Sequence, residues 1–473
     1  MSRFSPGTLI DGFRIGDVLH AGGMGIIHAV TFAEGAPDPG FPMVMKLPRF
    51  GSGDGAGNIV GYEVEQQMLQ AIASTHVPRF VAAGDLTRQP YLVMERIDGR
   101  TLDHWLQPSN PLAVTTICEL GSAIATAAHH LHQQNACHLD LKPGNVMIRA
   151  DGQAVLLDLG LACHAHYPDL LAEETRRAIG SPPWIAPEQV VGVRGDPRSD
   201  VFAIGVILYE LATRELPFGI PQTEAGMRQR LWMDPRPPRQ RRPDLPEWFQ
   251  EIVLRCLEPE AARRYPSAAH LAFDLKHPQQ VTVTARGRQI AATGALVHLR
   301  RWLRAAGKHY APSPLPIRQI DSVPILMVAI PHRDVTDATL YSLREAVARS
   351  LGIRPGARLA CVTVVPEGTS DDDSHGDGNR YARILAQLRQ WASLLDLSTH
   401  QASYHVLESG DVADALLRYA DANQVSIIVM GAATHGKQLQ RLIATVPIKV
   451  AMAAPCTVIL VKQTLPFERL SAD

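Results

Sequence analysis

The sequence predicts two folded units of different class, an α+β unit over the first 277 residues and an α/β unit with a doubly wound, Rossmann-like parallel sheet after it. Three observations carry this expectation. The chain has 473 residues, more than one hydrophobic core usually organises. Up to about His277 the pattern is strands, then helices, with motif-like loops between them, the order of an α+β unit. After Ile320 the apolar runs ILMVAI, LACVTVV, SIIVM and CTVILVK alternate with helical stretches, which is how a parallel sheet covered on both faces reads.

Between the two units lies a segment of different composition. Pro278 to Gln319 carries Arg286, Arg288, Arg300, Arg301, Arg304, Arg318 and Lys308 and no acidic residue. It ends in Pro312, Pro314 and Pro316, which favour an extended spacer. The expected division is therefore 9–277, a basic linker over 278–319, and 320–463. Within the first unit, a small lobe is expected over about 9–94 and a large lobe over about 98–277.

Composition excludes several function classes. At 46% hydrophobic and 20% charged residues the chain reads as an ordinary soluble globular protein. Lys plus Arg (46) balances Asp plus Glu (47), so no nucleic-acid partner is expected. The six cysteines, at 118, 137, 163, 256, 361 and 456, form no C-x-x-C pair. They are expected as reduced thiols in a cytoplasmic protein. The start, MSRFSPGTLIDGF, lacks an apolar signal core. The apolar run from Val323 to Ile330 is far shorter than the roughly 20 residues that a spanning helix needs. It reads as a buried strand, so no transmembrane segment is expected.

The chemistry-bearing motifs lie in the first unit. LHAGGMGIIHAV, Leu19 to Val30, places Gly22, Gly23 and Gly25 between two strand-like runs. Such a turn serves either as an ordinary hairpin or as a loop whose backbone N–H groups cover phosphates. MVMK ends in Lys46, and EVEQQMLQAI places Glu65, Leu69 and Ile72 on one helical face. HLDLKPGNVMI, His138 to Ile148, and LLDLG, Leu156 to Gly160, follow downstream. Polar residues at these spacings between apolar strands are hard to explain as packing.

These residues resemble the catalytic core of bacterial Hanks-type serine/threonine protein kinases, whose motifs read H-R-D-x-K-P-x-N and D-F-G. The resemblance runs over roughly residues 9 to 277 and implies a bilobal kinase fold acting on protein substrates, including itself, with ATP and Mg²⁺ (Mn²⁺ as an alternative). It implies Asp140 as acceptor of the substrate hydroxyl's proton and Lys142 as the cation beside the migrating phosphoryl group. Asn145 and Asp158 are implied to hold the metal. Leu19, Gly22, Gly23, Gly25, Ile27, Lys46 and Glu65 belong to the implied nucleotide site, with Met94 as gatekeeper and Glu95 and Ile97 offering backbone groups to adenine. His138, Gly160, Glu188, Asp200 and Arg264 are implied to be structural supports, Arg264 pairing with Glu188. Thr175 and Ser181 are candidate phosphosites. K-P-x-N and Ser181 fit the serine/threonine class.

Three residues depart from the pattern. His20 replaces the first glycine of the phosphate loop and Leu159 the phenylalanine of D-F-G. Leu139 stands where many kinases carry an arginine that binds a phosphate on the activation segment. Activity is therefore expected not to depend on that phosphate clamp. His129, His130, His132, His164 and His166 leave a metal site or plain packing open.

Ser322 to Lys462 resembles a universal stress protein, carried by PILMVAI, ARLACVTVVP, ESGDVADALLRYADANQVSIIVMGAATHG and APCTVILVK. The family's nucleotide motif G-x-x-G-(nine residues)-G-S would begin at Gly431. Its second glycine falls on Thr434 unless Gly436 stands in, and its last pair is Ala444 and Thr445. The expected aspartate is Pro331, with Asp334 nearby. This domain is expected to regulate, and to form a homodimer through its last strand, rather than to hold ATP tightly. In the linker, Leu296, Leu299 and Leu303 share one helical face with Arg300, Arg301 and Arg304 around it. That helix could pack on the kinase, dock in its cleft or touch anionic lipid. A pseudokinase scaffold and a nucleotide-sensing protein are the alternative readings of the whole chain.

Overall fold

The computed structural model describes residues 4–462 apart from 23–24, 34–38, 49–55, 86–87, 108–110, 175–177, 292–294, 306–315, 333–334, 353, 355, 368–376 and 433–444. It divides into two compact units, residues 1–317 and 318–473.

The first unit opens with a six-stranded antiparallel sheet of order β1-β2-β3-β4-β6-β5. Its strands are β1 (Leu9–Ile10), β2 (Phe13–Ala21), β3 (Gly25–Phe32), β4 (Met43–Pro48), β5 (Phe80–Ala83) and β6 (Leu92–Glu95). Helix α1 (Ala56–Ala71) lies between β4 and β5 in the chain. Ile15, Val30, Met43, Met45 and Val93 form one small core, while Val44, Leu92 and Met94 join Tyr62, Met68 and Leu69 of α1 in the main one. The alternation along β4 and β6 therefore covers the sheet on both faces.

The large lobe is helical. Its elements are β7 (Arg100–Thr101), α2 (Asp103–Leu106), α3 (Val114–Gln133), β8 (Ala136–Cys137), β9 (Val146–Ile148), β10 (Ala154–Leu156), β11 (Cys163–His164), α4 (Leu170–Glu174), α5 (Pro187–Val190), α6 (Pro197–Thr213), α7 (Glu224–Arg228), α8 (Pro238–Arg241), α9 (Glu247–Cys256) and α10 (Ala268–Lys276). Helix α6 is apolar nearly all round and lies in the core, as such a pattern requires. Asp196 caps it by accepting from Arg198 N, with Pro197 in its first turn. The order of strands then helices, as expected from the sequence, places the short β8, β9 and β10 at the seam between the lobes.

The basic segment begins as part of this lobe rather than as a spacer. Glu251 of α9, a buried carboxylate, accepts from Thr284 N and Oγ1, Gly287 N and Arg286 Nη1 at 2.8–3.0 Å. Gln250 donates to the carbonyls of Arg286, Gly287 and Gln289. These contacts hold α11 (Ala285–Arg288) on α9. In α12 (Ala295–Ala305), His298 and Arg301 meet Asp234, whereas Val297, Leu299, Trp302 and Leu303 are exposed. The Leu296 side chain and the proline-ending stretch 306–315 lie outside the described residues.

The second unit contains α13 (Pro316–Ser322), β12 (Ile325–Ala329), α14 (Asp337–Leu351), β13 (Arg358–Val365), α15 (Asp377–Ala392), β14 (Gln401–Glu408), α16 (Val412–Ala422), β15 (Ile427–Gly431), α17 (Val446–Ala453) and β16 (Thr457–Val461). All five strands run parallel in the order β14-β13-β12-β15-β16. Every residue of β12 and β13 is buried, so the run read as too short for a membrane is an inner strand. Strand β16 is an edge and only half-buried. No helix among the described residues is long and apolar enough to cross a membrane.

Gly287 tests the seating of α11. A β-carbon there would stand 2.8 Å from Glu247 O and 2.7 Å from Val283 Cγ1. Gly287→Val is expected to destabilise the first unit by about 1–3 kcal/mol, read as a lower calorimetric melting temperature. An unchanged transition would show that the segment does not sit on α9.

Candidate active site

Three short stretches bring their polar side chains to the seam between the lobes. β4 presents Lys46, α1 presents Glu65 and the turn after β10 presents Asp158. Lys46 Nζ bonds Glu65 Oε2 at 2.6 Å and Asp158 Oδ1 at 3.0 Å. Burial works against the ammonium, yet the two carboxylates more than offset it and raise the Lys46 pKa above the usual lysine value. Asp158 shows the reciprocal balance: burial opposes its charge, Lys46 prevails, and the carboxyl lies below its ordinary range. The lysine is thus held charged and fixed in direction.

Glu65 reaches Lys46 because α1 approaches the turn after Asp158 backbone to backbone. A β-carbon on Gly160 would lie 3.1 Å from Gly61 O, and one on Gly61 would lie 3.3 Å from Gly160 O. Two facing glycines permit that approach. Leu159 is buried beside them in the main core, so an aliphatic residue fills the place of the usual phenylalanine.

The loop from His138 to Asn145 is fastened from several sides. Asp200, at the start of α6 and fully buried, accepts from His138 N at 2.9 Å, Leu139 N at 2.8 Å and His132 Nε2 at 2.8 Å. Burial raises its pKa, but these donors outweigh burial and hold the carboxyl below the usual range. His138 Nε2 lies 3.0 Å from Leu157 O while its Nδ1 accepts from Asp140 N. This joins the loop to the residue before Asp158. Leu139 takes φ +61° and Asp158 φ +60°, positions that non-glycine residues adopt where surrounding bonds hold them.

Asp140 is the convergence point. Its Oδ1 accepts from Ser181 N at 2.8 Å, and its Oδ2 accepts from Lys142 Nζ at 2.9 Å and Asn145 Nδ2 at 3.1 Å. Lys142 Nζ also donates to Ser181 Oγ at 2.9 Å. Ser181, read from sequence as a candidate phosphosite, therefore stands inside the site with its hydroxyl on Lys142. Asn145 spends its amide donor on Asp140, which leaves its carbonyl oxygen for a cation. With one oxygen of Asp158 on Lys46, its other oxygen and the Asn145 carbonyl are oxygen donors of the kind a divalent metal takes.

The remaining residues divide by role. Gly25 is required by packing, since a β-carbon there would meet Leu47 O at 2.5 Å. His20 is exposed and its Nε2 lies 3.0 Å from where a β-carbon on Gly22 would stand. Leu19 is exposed at the end of β2, Ile27 is half-buried on β3, and Met94 and Ile97 are buried. The Glu95 side chain bonds Arg79 and Arg149, tying β6 to the large lobe. Arg264 grips Glu188 with both guanidinium nitrogens at 2.7 and 2.8 Å, both groups buried. Gly23 and Thr175 lie outside the described residues.

Residues 58–275 match the protein kinase domain family and 328–462 the universal stress protein family. The chain joins a protein kinase domain to a universal stress protein domain. The kinase region is 30% identical over 278 residues to the serine/threonine-protein kinase PknB of Mycolicibacterium smegmatis, and equally so to that of Mycobacterium tuberculosis. In both comparisons 57% of this chain and 43% of the relative are covered. A probable serine/threonine-protein kinase of Streptomyces coelicolor is 32% identical over 235 residues, covering 48% of this chain and 35% of its own. The chain thus spans less than half the length of these relatives.

In the kinase domain the histidines do not converge on one metal. His130 stacks on His76, and His164 stacks on Tyr167. His132, Cys137 and Asp200 bring ligand atoms within 4.8 Å of one another, but the Asp200 carboxylate is committed to His132 and two backbone N–H groups. Sequence reasoning named His132 as a metal ligand or packing residue and missed its bond to Asp200, and it missed Gln189, whose Nε2 donates to Leu139 O at 2.8 Å. It missed Arg230 as well, fully buried and donating to the carbonyls of Pro182 and Ile185 beside Ser181. Single polar residues on apolar helices give no local signal of such roles.

In the stress-protein domain, Gly431 ends β15 beside Thr339 of α14, and Thr445 precedes α17. Gly436, Thr434, Ala444 and Asp334 lie outside the described residues.

His129 carries a pH prediction. It is buried in α3 with neither ring nitrogen hydrogen-bonded among the described residues. Burial, then His132 and His130, lower its pKa to about 3. The unfolded chain, with a histidine near 6.5, binds a proton that the folded chain refuses. Stability therefore falls as pH drops below about 6.5, by up to about 1.4 kcal/mol per pH unit. His129→Leu is expected to flatten the fall in melting temperature between pH 6.5 and 5. Parallel profiles for variant and wild type would show that the histidine is charged in the fold.

Proposed function

We propose that this chain is an ATP-dependent serine/threonine protein kinase that phosphorylates protein hydroxyls, its own included. The observation that carries the reading is the single cluster in which Asp140, Lys142, Asn145 and Ser181 meet within hydrogen-bond distance while Lys46 joins Glu65 and Asp158. A kinase domain works with ATP and a divalent metal, here Mg²⁺ with Mn²⁺ as the alternative, and the metal neutralises charge on the transferred group.

The chain's own residues supply position and proton handling. Asp140 is oriented by Ser181 N, so that a carboxylate oxygen faces an incoming hydroxyl and takes its proton. Lys142, fixed between Asp140 and Ser181, places a positive charge where negative charge develops. Lys46, charged and directed by Glu65, grips the nucleotide phosphates, and Asn145 and Asp158 hold the metal. Met94, Glu95 and Ile97 would border the adenine, and Leu19, Gly22, Gly25 and Ile27 would cover it and its phosphates. The Lys142–Ser181 bond supports serine/threonine rather than tyrosine acceptors.

The pseudokinase reading is disfavoured because a scaffold has no need of this complete and mutually bonded set. For the second domain, we infer a regulatory homodimeriser. The edge strand β16, with Leu460 exposed and Met452 of α17 exposed, supports self-pairing. The altered residues after Gly431, ending at Thr445, argue against a tight nucleotide site. Six free cysteines and balanced charge support a cytoplasmic protein without a nucleic-acid partner. Exposed Leu299, Trp302 and Leu303 on α12 leave peripheral lipid contact as the lesser reading of the basic linker.

Incubation with labelled ATP and Mg²⁺ is expected to label the wild type. Lys46→Ala and Asp140→Asn are expected to lose at least about 100-fold, and EDTA to abolish labelling. An unlabelled wild type would favour the scaffold.

A further inference from the structure

The residue before Asp140 is a leucine, and its surroundings leave no place for a phosphate. The Leu139 side chain is 3% exposed, its N–H is spent on Asp200 and its carbonyl on Gln189. Something else must hold the activation segment, Asp158 to Glu188, in its working course.

Arg194 is placed to do so. It sits in the loop between α5 and α6, and its side chain is only 7% exposed. Its Nε donates to Asp169 Oδ2 at 2.7 Å and its Nη2 to Leu161 O at 2.9 Å. One guanidinium therefore pins the activation segment at two points, three and eleven residues beyond Asp158. The bond to a carboxylate is charge-assisted, and the forked geometry fixes direction as well as distance.

Each pinned point leads to a different part of the active site. Leu161 ends the turn that begins at Leu159 and carries Gly160, the glycine that faces Gly61 of α1. Asp169 uses its second oxygen to accept from Ala172 N at 3.2 Å, capping α4. Helix α4 packs against α1, the helix that carries Glu65, through buried Leu171 in the main core. Between the two pins, Cys163 and His164 pair with Cys137 and Ala136, the strand that runs straight into His138. Ala165 N continues the join to Asn135 O at 2.9 Å.

We propose that Arg194, bonded to Asp169 and to the Leu161 carbonyl, is a built-in clamp that holds the activation segment and α1 in place without phosphorylation of the segment. Asp169 supplies permanently the negative charge that a phosphate supplies in kinases with an arginine before the catalytic aspartate. Arg194 and Asp169 are positioning residues. They touch neither the nucleotide-gripping lysine nor the catalytic carboxylate, and act through α4, α1 and the β8–β11 pair. The inference rests on the kinase reading above.

The test uses the full chain after phosphatase treatment and removal of the phosphatase, with myelin basic protein as a general acceptor. The treated wild type is expected to keep its initial rate within twofold. Asp169→Asn preserves the helix cap, since asparagine caps as well as aspartate, and removes the charge together with the acceptor that faces Arg194 Nε. It is expected to lower kcat at least tenfold, with the ATP KM within twofold of wild type and the melting temperature little changed. Asp169→Glu is expected to recover most of the rate, and Arg194→Ala to match Asp169→Asn. If Arg194→Ala does not fold, the Asn and Glu pair at position 169 still decides the matter.

A treated wild type that stays silent until rephosphorylated would overturn the clamp, and so would Asp169→Asn at the wild-type rate. A rate lost only through a raised ATP KM would overturn it too, by placing the effect on nucleotide binding. A wild type that labels neither itself nor the acceptor, before or after treatment, would remove the kinase reading itself and the clamp with it.

Discussion

The buried carboxylate of Asp200 is the constraint on which the catalytic loop depends. A charge with no exposure at the base of a helical core costs several kcal/mol unless every lone pair is engaged. Here two consecutive backbone N–H groups, from His138 and Leu139, and the ring of His132 engage it. Two adjacent N–H groups can point at one carboxylate only if the chain turns sharply, and Leu139 accordingly takes a left-handed backbone. That turn directs Asp140 toward Lys142, Asn145 and Ser181. The geometry around Asp140 thus rests on the desolvation of a residue whose own bonds go to His132, His138 and Leu139.

The upper half of the site depends on a second constraint, the approach of α1 to the turn after Asp158. Lys46 is drawn between Glu65 and Asp158, and both distances are set by how closely α1 can come. Gly61 and Gly160 remove the side chains that would hold the two backbones apart. The activation segment then closes the arrangement from outside, with α4 against α1 and β11 against β8. The main hydrophobic core runs through both lobes, since Val44, Met68 and Leu92 belong to the same cluster as Ile117 and Leu156, and the polar atoms and the glycine contact are set on that shared core.

How much of this was legible in the sequence follows from how local the chemistry is. His138 to Asn145 and Asp158 to Gly160 could be read because several polar residues must lie close in the chain to surround one reacting centre, and apolar strands frame them. The fold class was readable for the same reason, since β12 is apolar throughout and β13 apolar but for Arg358 and Thr363, while β4 and β6 are short and bounded by turns. Arg194 was not legible, because its partners Asp169 and Leu161 are 25 and 33 residues away and a lone arginine in a loop reads as solvated. Ser181 looked like a modification site because its sequence neighbours do not reveal that Lys142 faces it. The basic segment looked like a spacer because it ends in Pro312, Pro314 and Pro316, and it contains no acid of its own. Its acids are Glu247, Glu251 and Glu258, on and just after α9, and complementarity between distant segments leaves no periodic trace.

The same logic separates the two domains. In the kinase domain two of the three departures from the family pattern, Leu139 and Leu159, are buried and compensated, one by the bonds to Asp200 and Gln189 and the other by the core around it. In the stress-protein domain the departures fall after β15, where the strand order reverses and an open parallel sheet presents its ligand crevice. The sequence there carries Ala444 and Thr445 in place of the family's final glycine and serine, and glycine is what lets backbone N–H groups come close to a phosphate. The sheet itself stands apart from these positions, with β12, β13 and Ile427–Met430 of β15 buried. A domain altered in this way keeps its five-stranded sheet and its half-buried edge strand β16.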